Sequence, residues 1–182
     1  MNSPLTIEQL NALDETQFTS MLAAIFEHSP WVASGAWPQR PFASVAALQA
    51  AMCAVVAAAD VNQHLNLIRA HPQLASKAAV CGELTEASNR EQGGAGLRDC
   101  TPAEFAQLNA LNDQYQLRFG FPFILAVRGH TRGSIIEQLQ SRVSNTPAIE
   151  LTTALHQIER IAELRLADLF GSSFASTSAS AA

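Results

Sequence analysis

Basic residues are scarce in this chain, and their scarcity argues against one large class of partner. Among 182 residues, 11 Lys and Arg stand against 16 Asp and Glu, which gives a net charge of −5 at pH 7. No run of basic residues occurs. Proteins that bind nucleic acid present clustered positive charge to the phosphates. The sequence therefore predicts no nucleic-acid partner.

Long apolar runs are missing as well. The richest stretch, residues 45–59, is interrupted by Gln49 and is shorter than the roughly 20 residues that a membrane-spanning helix needs. The N-terminal segment has neither a basic start nor an apolar centre, so it does not look like a signal peptide. We expect no membrane partner and a cytoplasmic location.

Cysteine is rare, and its spacing predicts neither a disulfide framework nor a metal site. Cys53, Cys81 and Cys100 are odd in number and contain no CxxC pair, which is typical of a protein in a reducing compartment. The HExxH motif and the Cys/His spacings of zinc sites are also absent. His64 and His71 lie seven residues apart on one helical line, but two histidines alone do not predict a metal.

Alanine and leucine are plentiful in a chain that is 48% hydrophobic, and such a composition favours helices. Residues that cap the first turn of a helix recur along the chain. They predict helices that start after Thr6, Asp14, Ser44, Thr101 and Thr146. The helix after Ser44 is almost uniformly apolar, so we expect it to lie deep in the core.

The fold class that these signals predict is all-α. A further helix over residues 61–70 should stop before Pro72, because a residue that precedes proline avoids the helical region. We expect one domain, a bundle of about seven to nine helices over residues 1–171. The remaining residues, 172–182, are small, polar and aperiodic, and predict a disordered tail.

A polar cluster closes with several glycines in LTEASNREQGGAGL, residues 84–97. If the stretch is helical from Thr85, then Ser88, Glu91 and Gln92 share one face, because they fall at i, i+3 and i+4. The glycines leave the helix accessible to a ligand or to another helix. Two interpretations stay open: a solvated surface, and a face that binds a small molecule.

A histidine at a helix end is the second candidate. His71 precedes Pro72 in IRAHPQLASK, residues 68–77, and imidazole can donate or accept a proton near neutral pH. The alternative is a residue that merely interacts with the helix dipole.

The third candidate stretch is RFGFPFILAVRG, residues 118–129, where Gly120 and Pro122 break the helix but the residues stay apolar. The segment fits a short strand or a buried loop. Its backbone groups need partners, either in the core or from a polar ligand.

Another apolar stretch, PWVASGAW at residues 30–37, suggests more apolar surface than a monomer usually exposes. It predicts a homodimer, although Trp31 and Trp37 could equally be buried within one subunit.

The three candidate stretches occur together in a recognisable order. HPQLASK, LTEASNREQGGAGL and LNDQYQLRFGFPFILAVRG, with FEHSPWVA at 26–33 and IAELRLADLF at 161–170, resemble the 2-oxo-4-hydroxy-4-carboxy-5-ureidoimidazoline (OHCU) decarboxylase family. The resemblance covers about residues 5–170. It implies an all-α enzyme of urate breakdown that converts this small molecule to (S)-allantoin without a metal or an organic cofactor.

The resemblance also implies roles for individual residues. His71 matches the catalytic proton donor, and Glu91 matches the other residue tied to catalysis. Together with Glu91, the positions that match substrate contacts are Pro72, Ser88, Gln92, Phe123, Ile124, Leu125, Ala126, Val127 and Arg165. Two other functions remain as alternatives: a non-catalytic helical interaction domain, and a different acid–base enzyme that processes a ureide.

Overall fold

The computed structural model describes residues 5–76 and 84–171, and the regular secondary structure within these ranges is entirely helical. Nine α-helices occur there: α1 (Ile7–Asn11), α2 (Glu15–Leu22), α3 (Pro30–Ala36), α4 (Val45–Ala57), α5 (Val61–Ala70), α6 (Glu86–Gly94), α7 (Pro102–Phe119), α8 (Arg132–Val143) and α9 (Pro147–Phe170). Two 3-10 turns, Trp37–Gln39 and Leu97–Asp99, follow α3 and α6. The predicted all-α fold class is confirmed. The predicted tail and Cys81 lie outside the described residues.

Side-chain caps start the helices where the sequence predicts them. At α7, Thr101 Oγ1 accepts a hydrogen bond from Glu104 N at 3.2 Å, and Glu104 Oε2 accepts one from Thr101 N at 2.8 Å. These bonds satisfy amide groups that have no partner inside the helix. Thr6 and Asp14 cap α1 and α2 with the same pair of bonds, and Ser44 caps α4 with a single bond that it accepts from Ala47 N.

Two helices are not among those predicted. Ser29 and Pro30 form the N-cap and N1 pattern of a helix start, although Ser29 makes no side-chain cap, so the sequence carried a signal for α3 that was not used. α3 packs on α4, and a Cβ built on Gly35 would meet Val55 Cγ1 at 2.8 Å. α8 is capped by Thr131 with Ser134 in place of the usual glutamate or glutamine. The start pattern of α3 was therefore overlooked, and the unusual cap accounts for the omission of α8.

The expectation that α4 lies deep in the core is wrong for one of its faces. One face is buried, including Leu48 and Met52, while the alanines at positions 46, 50, 54 and 57 are exposed. Alanine favours the helix whether or not it is covered, because its methyl group adds little apolar surface.

The described helices fall into two compact units. One unit contains the described residues up to Leu67 and those from Glu159 onward, and in it α2 and α4 pack against α3. The other runs from Ile68 to Ile158, and in it α7 packs against α8. The assignment of residues 1–171 to a single domain stays a prediction.

Arg40 ties together the N-terminal segments of the first unit. Its Nη1 donates to the carbonyl oxygens of Asn11 and Leu13 at 2.9 and 2.7 Å. Its guanidinium lies over the Trp37 ring, 4.0 Å from the centroid. Part of Trp37 is therefore covered within the unit, as one of the two interpretations of the 30–37 stretch expects.

Within the described ranges, no single helix is long and apolar enough to cross a membrane, and only the bent pair of α4 and α5 passes that test of length and composition.

Candidate functional site

The first element of the candidate site is the turn that follows α5. His71 comes directly after the last residue of the helix, and its N–H donates to the carbonyl of Ile68 at 3.1 Å. Pro72 then prevents the helix from continuing. His71 is only 6% exposed and its Nε2 atom is buried. The imidazole thus lies at a helix end as predicted, but inside the protein and not on its surface.

The backbone of this turn is strained and is held by side chains. Ala75 has φ +52°, in the left-handed region that costs a non-glycine residue roughly 1–2 kcal/mol. Its N–H donates to Gln92 Oε1 at 3.1 Å, and the carbonyl of Leu74 accepts from Asn112 Nδ2 at 3.0 Å. Both Leu74 and Ala75 are buried. The turn that carries His71 is therefore fixed from α6 and from α7.

α6 supplies the polar face that the sequence predicts. Thr85 caps the helix by accepting from Ser88 N at 3.3 Å. Ser88 and Gln92 are each only 4% exposed, and Glu91 between them is half-buried. The solvated-surface interpretation is therefore wrong for Ser88 and Gln92. A Cβ built on Gly94 would meet no atom within 4 Å, so this part of the helix surface is unobstructed.

The third element is the segment from Phe121 to Val127. It is neither helix nor strand, and the buried-loop alternative is the one observed. Ile124 O accepts from Arg142 Nη1 at 2.8 Å, and Ala126 N donates to Gln157 Oε1 at 2.9 Å. Side chains of α8 and α9 thus supply hydrogen bonds that a strand would obtain from a neighbour. The residues predicted to line a pocket, Phe123 to Val127, are all buried.

A buried ionic network supports that segment. Arg142 Nη2 lies 2.9 Å from Glu150 Oε2, and the carboxylate also accepts from the Tyr115 hydroxyl and from Asn145 Nδ2. The Arg142 guanidinium lies 4.5 Å from the centroid of the Phe123 ring. Burial and the hydrogen bond to Glu150 raise the pKa of Tyr115, so its phenol stays protonated and keeps donating.

The buried face of α7 brings the turn and the loop segment to the same side of the helix. Asn112 and Tyr115 are one turn apart on that face. Asn112 bonds the His71 turn, and the Tyr115 ring meets the Phe123 ring edge-on at 5.4 Å. Arg69, next to the end of α5, donates from Nε to Gly120 O at 3.1 Å. His71, α6 and the segment 121–127 therefore form one connected region of the second unit.

Arg165 belongs to the other unit, and its predicted role in substrate binding stays a prediction. The residue is buried, with Nη1 2.8 Å from Glu27 Oε2 and 2.9 Å from the carbonyl of Ala24. The structure therefore gives this guanidinium a buried ion pair within its own unit.

The residues with metal-binding chemistry are dispersed. Within the described part of the chain, no three His, Cys, Asp or Glu side chains are grouped so that they could hold an ion. Asp60 Oδ1 accepts from Gln63 N at 2.9 Å, as the cap of α5. His64 Nε2 lies 2.7 Å from the carbonyl of Val56. Both groups have structural partners.

The supporting residues of the site were not predicted from the sequence. Asn112, Arg142 and Glu150 are polar but almost fully buried, and Gln157 bonds the loop segment. A signal existed for Asn112, because it interrupts the apolar face between Leu108 and Tyr115. The Arg142–Glu150 pair joins two helices and has no local pattern.

Comparisons with known proteins agree with this arrangement. A family profile described as OHCU decarboxylase matches residues 11–167. The chain is 40% identical over 168 residues to the OHCU decarboxylase of Haloferax volcanii, covering 92% of this chain and 98% of the relative. It is 39% identical over 165 residues to that of Halalkalicoccus jeotgali, covering 91% and 92%.

A solved structure shows the same fold. The crystal structure of an (S)-allantoin synthase superposes with a TM-score of 0.74 at 32% sequence identity. The alignment covers 91% of this chain and 54% of that one, so this chain spans about half the length of that protein.

Proposed function

Because this chain belongs to the OHCU decarboxylase family, we propose that it removes CO2 from OHCU and releases (S)-allantoin in urate breakdown. It is a carboxy-lyase whose ligand is a small ureidoimidazoline. The observation that carries the proposal is the buried His71 on a turn bonded to Gln92, beside the polar face of α6. A buried imidazole next to buried amide and hydroxyl groups is suited to proton transfer to a small polar ring.

The chemistry of the substrate makes a cofactor unnecessary for the proposed reaction. The carboxylate of OHCU is attached to a tetrahedral carbon beside a conjugated ring nitrogen. When the bond between that carbon and the carboxylate breaks, the electron pair delocalises into the adjacent C=N bond. The carbon that lost CO2 becomes a carbonyl as its hydroxyl gives up a proton. The protein must therefore hold the ring and return one proton to the neighbouring carbon, which carries the ureido group. Orientation and a single proton donor provide this.

We assign the delivery of this proton to His71. Spontaneous decay of OHCU gives racemic allantoin, because water can protonate either face of the ring. A donor fixed on one side, in a site from which water is largely excluded, gives one enantiomer. The burial of His71 and the hydrogen bonds that fix its turn support this assignment.

The polar face of α6 is assigned to the ureido group and the ring. Gln92 Oε1 accepts from Ala75, so the amide nitrogen of Gln92 is the atom left for a substrate carbonyl. Glu91 would accept from a substrate N–H or favour the protonated form of His71 by its charge. Ser88 would donate or accept through its hydroxyl.

We also propose roles for the other predicted substrate contacts. Pro72 and the backbone of residues 123–127 would contact the ring, with Arg142 and Gln157 fixing the loop in place. Arg165 would bind an anionic or carbonyl oxygen, since a guanidinium presents several donors in one plane. In that role it would keep its ion pair with Glu27.

The direct test supplies freshly generated OHCU and follows both its loss by absorbance and the optical rotation of the product. We expect fast consumption and (S)-allantoin. His71→Asn should reduce the catalysed rate by roughly 10²- to 10⁴-fold and let the racemic background dominate. His156→Asn is the control, because His156 is exposed on α9. A His71→Asn protein that still makes (S)-allantoin at the normal rate would exclude the assigned role of His71.

The same assay separates the alternatives. A helical interaction domain would leave OHCU to decay at its uncatalysed rate. A different ureide enzyme would consume another ureide and leave OHCU unchanged.

Activity should also survive extended dialysis against EDTA. Loss of activity that a divalent ion restores would contradict the cofactor-free mechanism.

A further inference from the structure

The buried face of α7 contains a polar side chain whose presence is not explained by the packing of the helix. Asn112 is 2% exposed and lies between Leu108 and Tyr115, which are both fully buried. Its Oδ1 atom is buried and accepts no hydrogen bond from any described residue. A buried amide satisfied on one side only is less favourable than an apolar residue of the same size. We therefore expect the NH2 group of Asn112 to have a specific role.

The NH2 group of Asn112 holds the turn that carries His71. Asn112 Nδ2 donates to the carbonyl of Leu74 at 3.0 Å, and a carbonyl oxygen can only accept, which fixes the orientation of the amide. Leu74 is three residues after His71 and directly precedes Ala75, the residue in the left-handed conformation. A strained residue keeps such a conformation only where its surroundings impose it.

Gln92 holds the next residue of the same turn from another helix. Its Oε1 accepts from Ala75 N at 3.1 Å, so two buried side-chain amides bond two consecutive residues. We call Asn112 and Gln92 the amide clamp. Gln92 already belongs to the proposed substrate face, whereas Asn112 bonds only the turn among the described contacts.

We propose that Asn112 is a positioning residue for His71: its bond to Leu74 fixes the turn so that the imidazole meets one face of the substrate. This role rests on the proposed function, in which His71 delivers the proton. Proton transfer depends steeply on placement, and a misplacement of about 1 Å can reduce a rate by about 10²-fold. The loss should appear in kcat and not in KM, because Asn112 itself does not bind the substrate.

Asn112→Leu tests the role, with Asn109→Leu as its matched control. Asn109 is on the same helix, but its Nδ2 donates to Phe105 O at 2.8 Å, within the helix itself. We expect Asn112→Leu to lower kcat by roughly 10- to 100-fold with KM nearly unchanged, and to raise the fraction of (R)-allantoin. Asn109→Leu should keep the wild-type kcat.

The His71 ring provides a readout that does not depend on activity. The chain has 5 histidines, so their ring signals can be resolved by NMR with labelled histidine, and the spectrum of His71→Asn identifies the His71 signal. Asn112→Leu should shift or broaden that signal and leave His64 and His130 unchanged. Asn109→Leu should leave all three unchanged.

Asn112→Asp keeps the test decisive if Asn112→Leu does not fold. The introduced carboxyl has the same shape, and it can donate to Leu74 O only while it is protonated. The deficit in kcat relative to wild type should therefore grow as the pH rises and the carboxyl ionises. A folded Asn112 variant with wild-type kcat and an unshifted His71 signal overturns the proposal. If the wild type does not convert OHCU, the proposed function fails, but the His71 signal still decides whether Asn112 positions that ring.

Discussion

The Arg142–Glu150 pair is buried, and removal of either partner alone should be costly because it leaves the other charge uncompensated. Glu150 is 0% exposed and Arg142 is 6% exposed. Glu150→Gln keeps the shape, but leaves the Arg142 guanidinium buried without its counter-charge and turns an NH2 group toward other donors. Loss of one partner of a buried pair costs roughly 3–5 kcal/mol. For a chain of this size that corresponds to a Tm lower by roughly 6–20 °C.

The measurement is a double-mutant cycle in urea at constant pH, with Glu150→Gln, Arg142→Met and the double variant. Each single change should lower the free energy of unfolding by roughly 3–5 kcal/mol. The double variant should lose at least about 1 kcal/mol less than the sum, because no uncompensated charge remains. Glu137→Gln, an exposed change on α8, should stay within about 0.5 kcal/mol of wild type.

Additivity would refute the reasoning. If the two single effects sum to the double effect within about 0.5 kcal/mol, the side chains do not interact in the way that the structure implies. Arg142→Met should also lower kcat/KM, because Ile124 O loses its donor and the loop segment loses one of the two side-chain bonds described for it above.

Four further outcomes are expected. Glu91→Gln should reduce turnover by about 10²-fold without changing the Tm, and wild-type turnover would return Glu91 to a surface role. The hydrogen bonds from Thr101 lower the pKa of Glu104, so the ionised carboxylate stabilises the folded protein. Glu104→Gln should therefore lower the free energy of unfolding at neutral pH, and its difference from wild type should vanish as the pH falls through that lowered pKa. Burial and the charges of Glu159 and Glu163 raise the pKa of Cys53 from 9.0 to about 11, so its thiolate fraction at pH 8 is about 100-fold lower, and mass spectrometry should show correspondingly slow alkylation. Light scattering should give twice the 19.5 kDa chain mass, and a single-chain mass would reject the homodimer.

Local chemistry explains what could be predicted from the sequence. A cap acts within three residues, so Thr101, Pro102 and Glu104 were sufficient to place the start of α7, and Gly120 its end. The shared face of Ser88 and Gln92 followed from helical spacing alone. The substrate of these residues was predicted from the family resemblance and not from any single motif.

Long-range contacts explain what could not be predicted. Asn112 and Leu74 are 38 residues apart, and nothing local indicates that the amide of one meets the carbonyl of the other. The burial of His71 was also beyond the pattern, since a helix end is usually exposed. The 121–127 segment stayed ambiguous because its partners, Arg142 and Gln157, lie on later helices.

The two glutamine contacts give the site its own reporters of local opening. Ala75 and Ala126 lie outside any helix. The amide proton of Ala75 is bonded by the side chain of Gln92, and that of Ala126 by the side chain of Gln157. Their exchange with deuterated water requires that one side-chain contact breaks and that water reaches the buried turn or loop, whereas exchange from the middle of α7 requires the helix to unfold. If the turn and the loop segment move during turnover, these two protons will exchange early while the helices remain protected. A bound ligand that orders the site should slow both of them together.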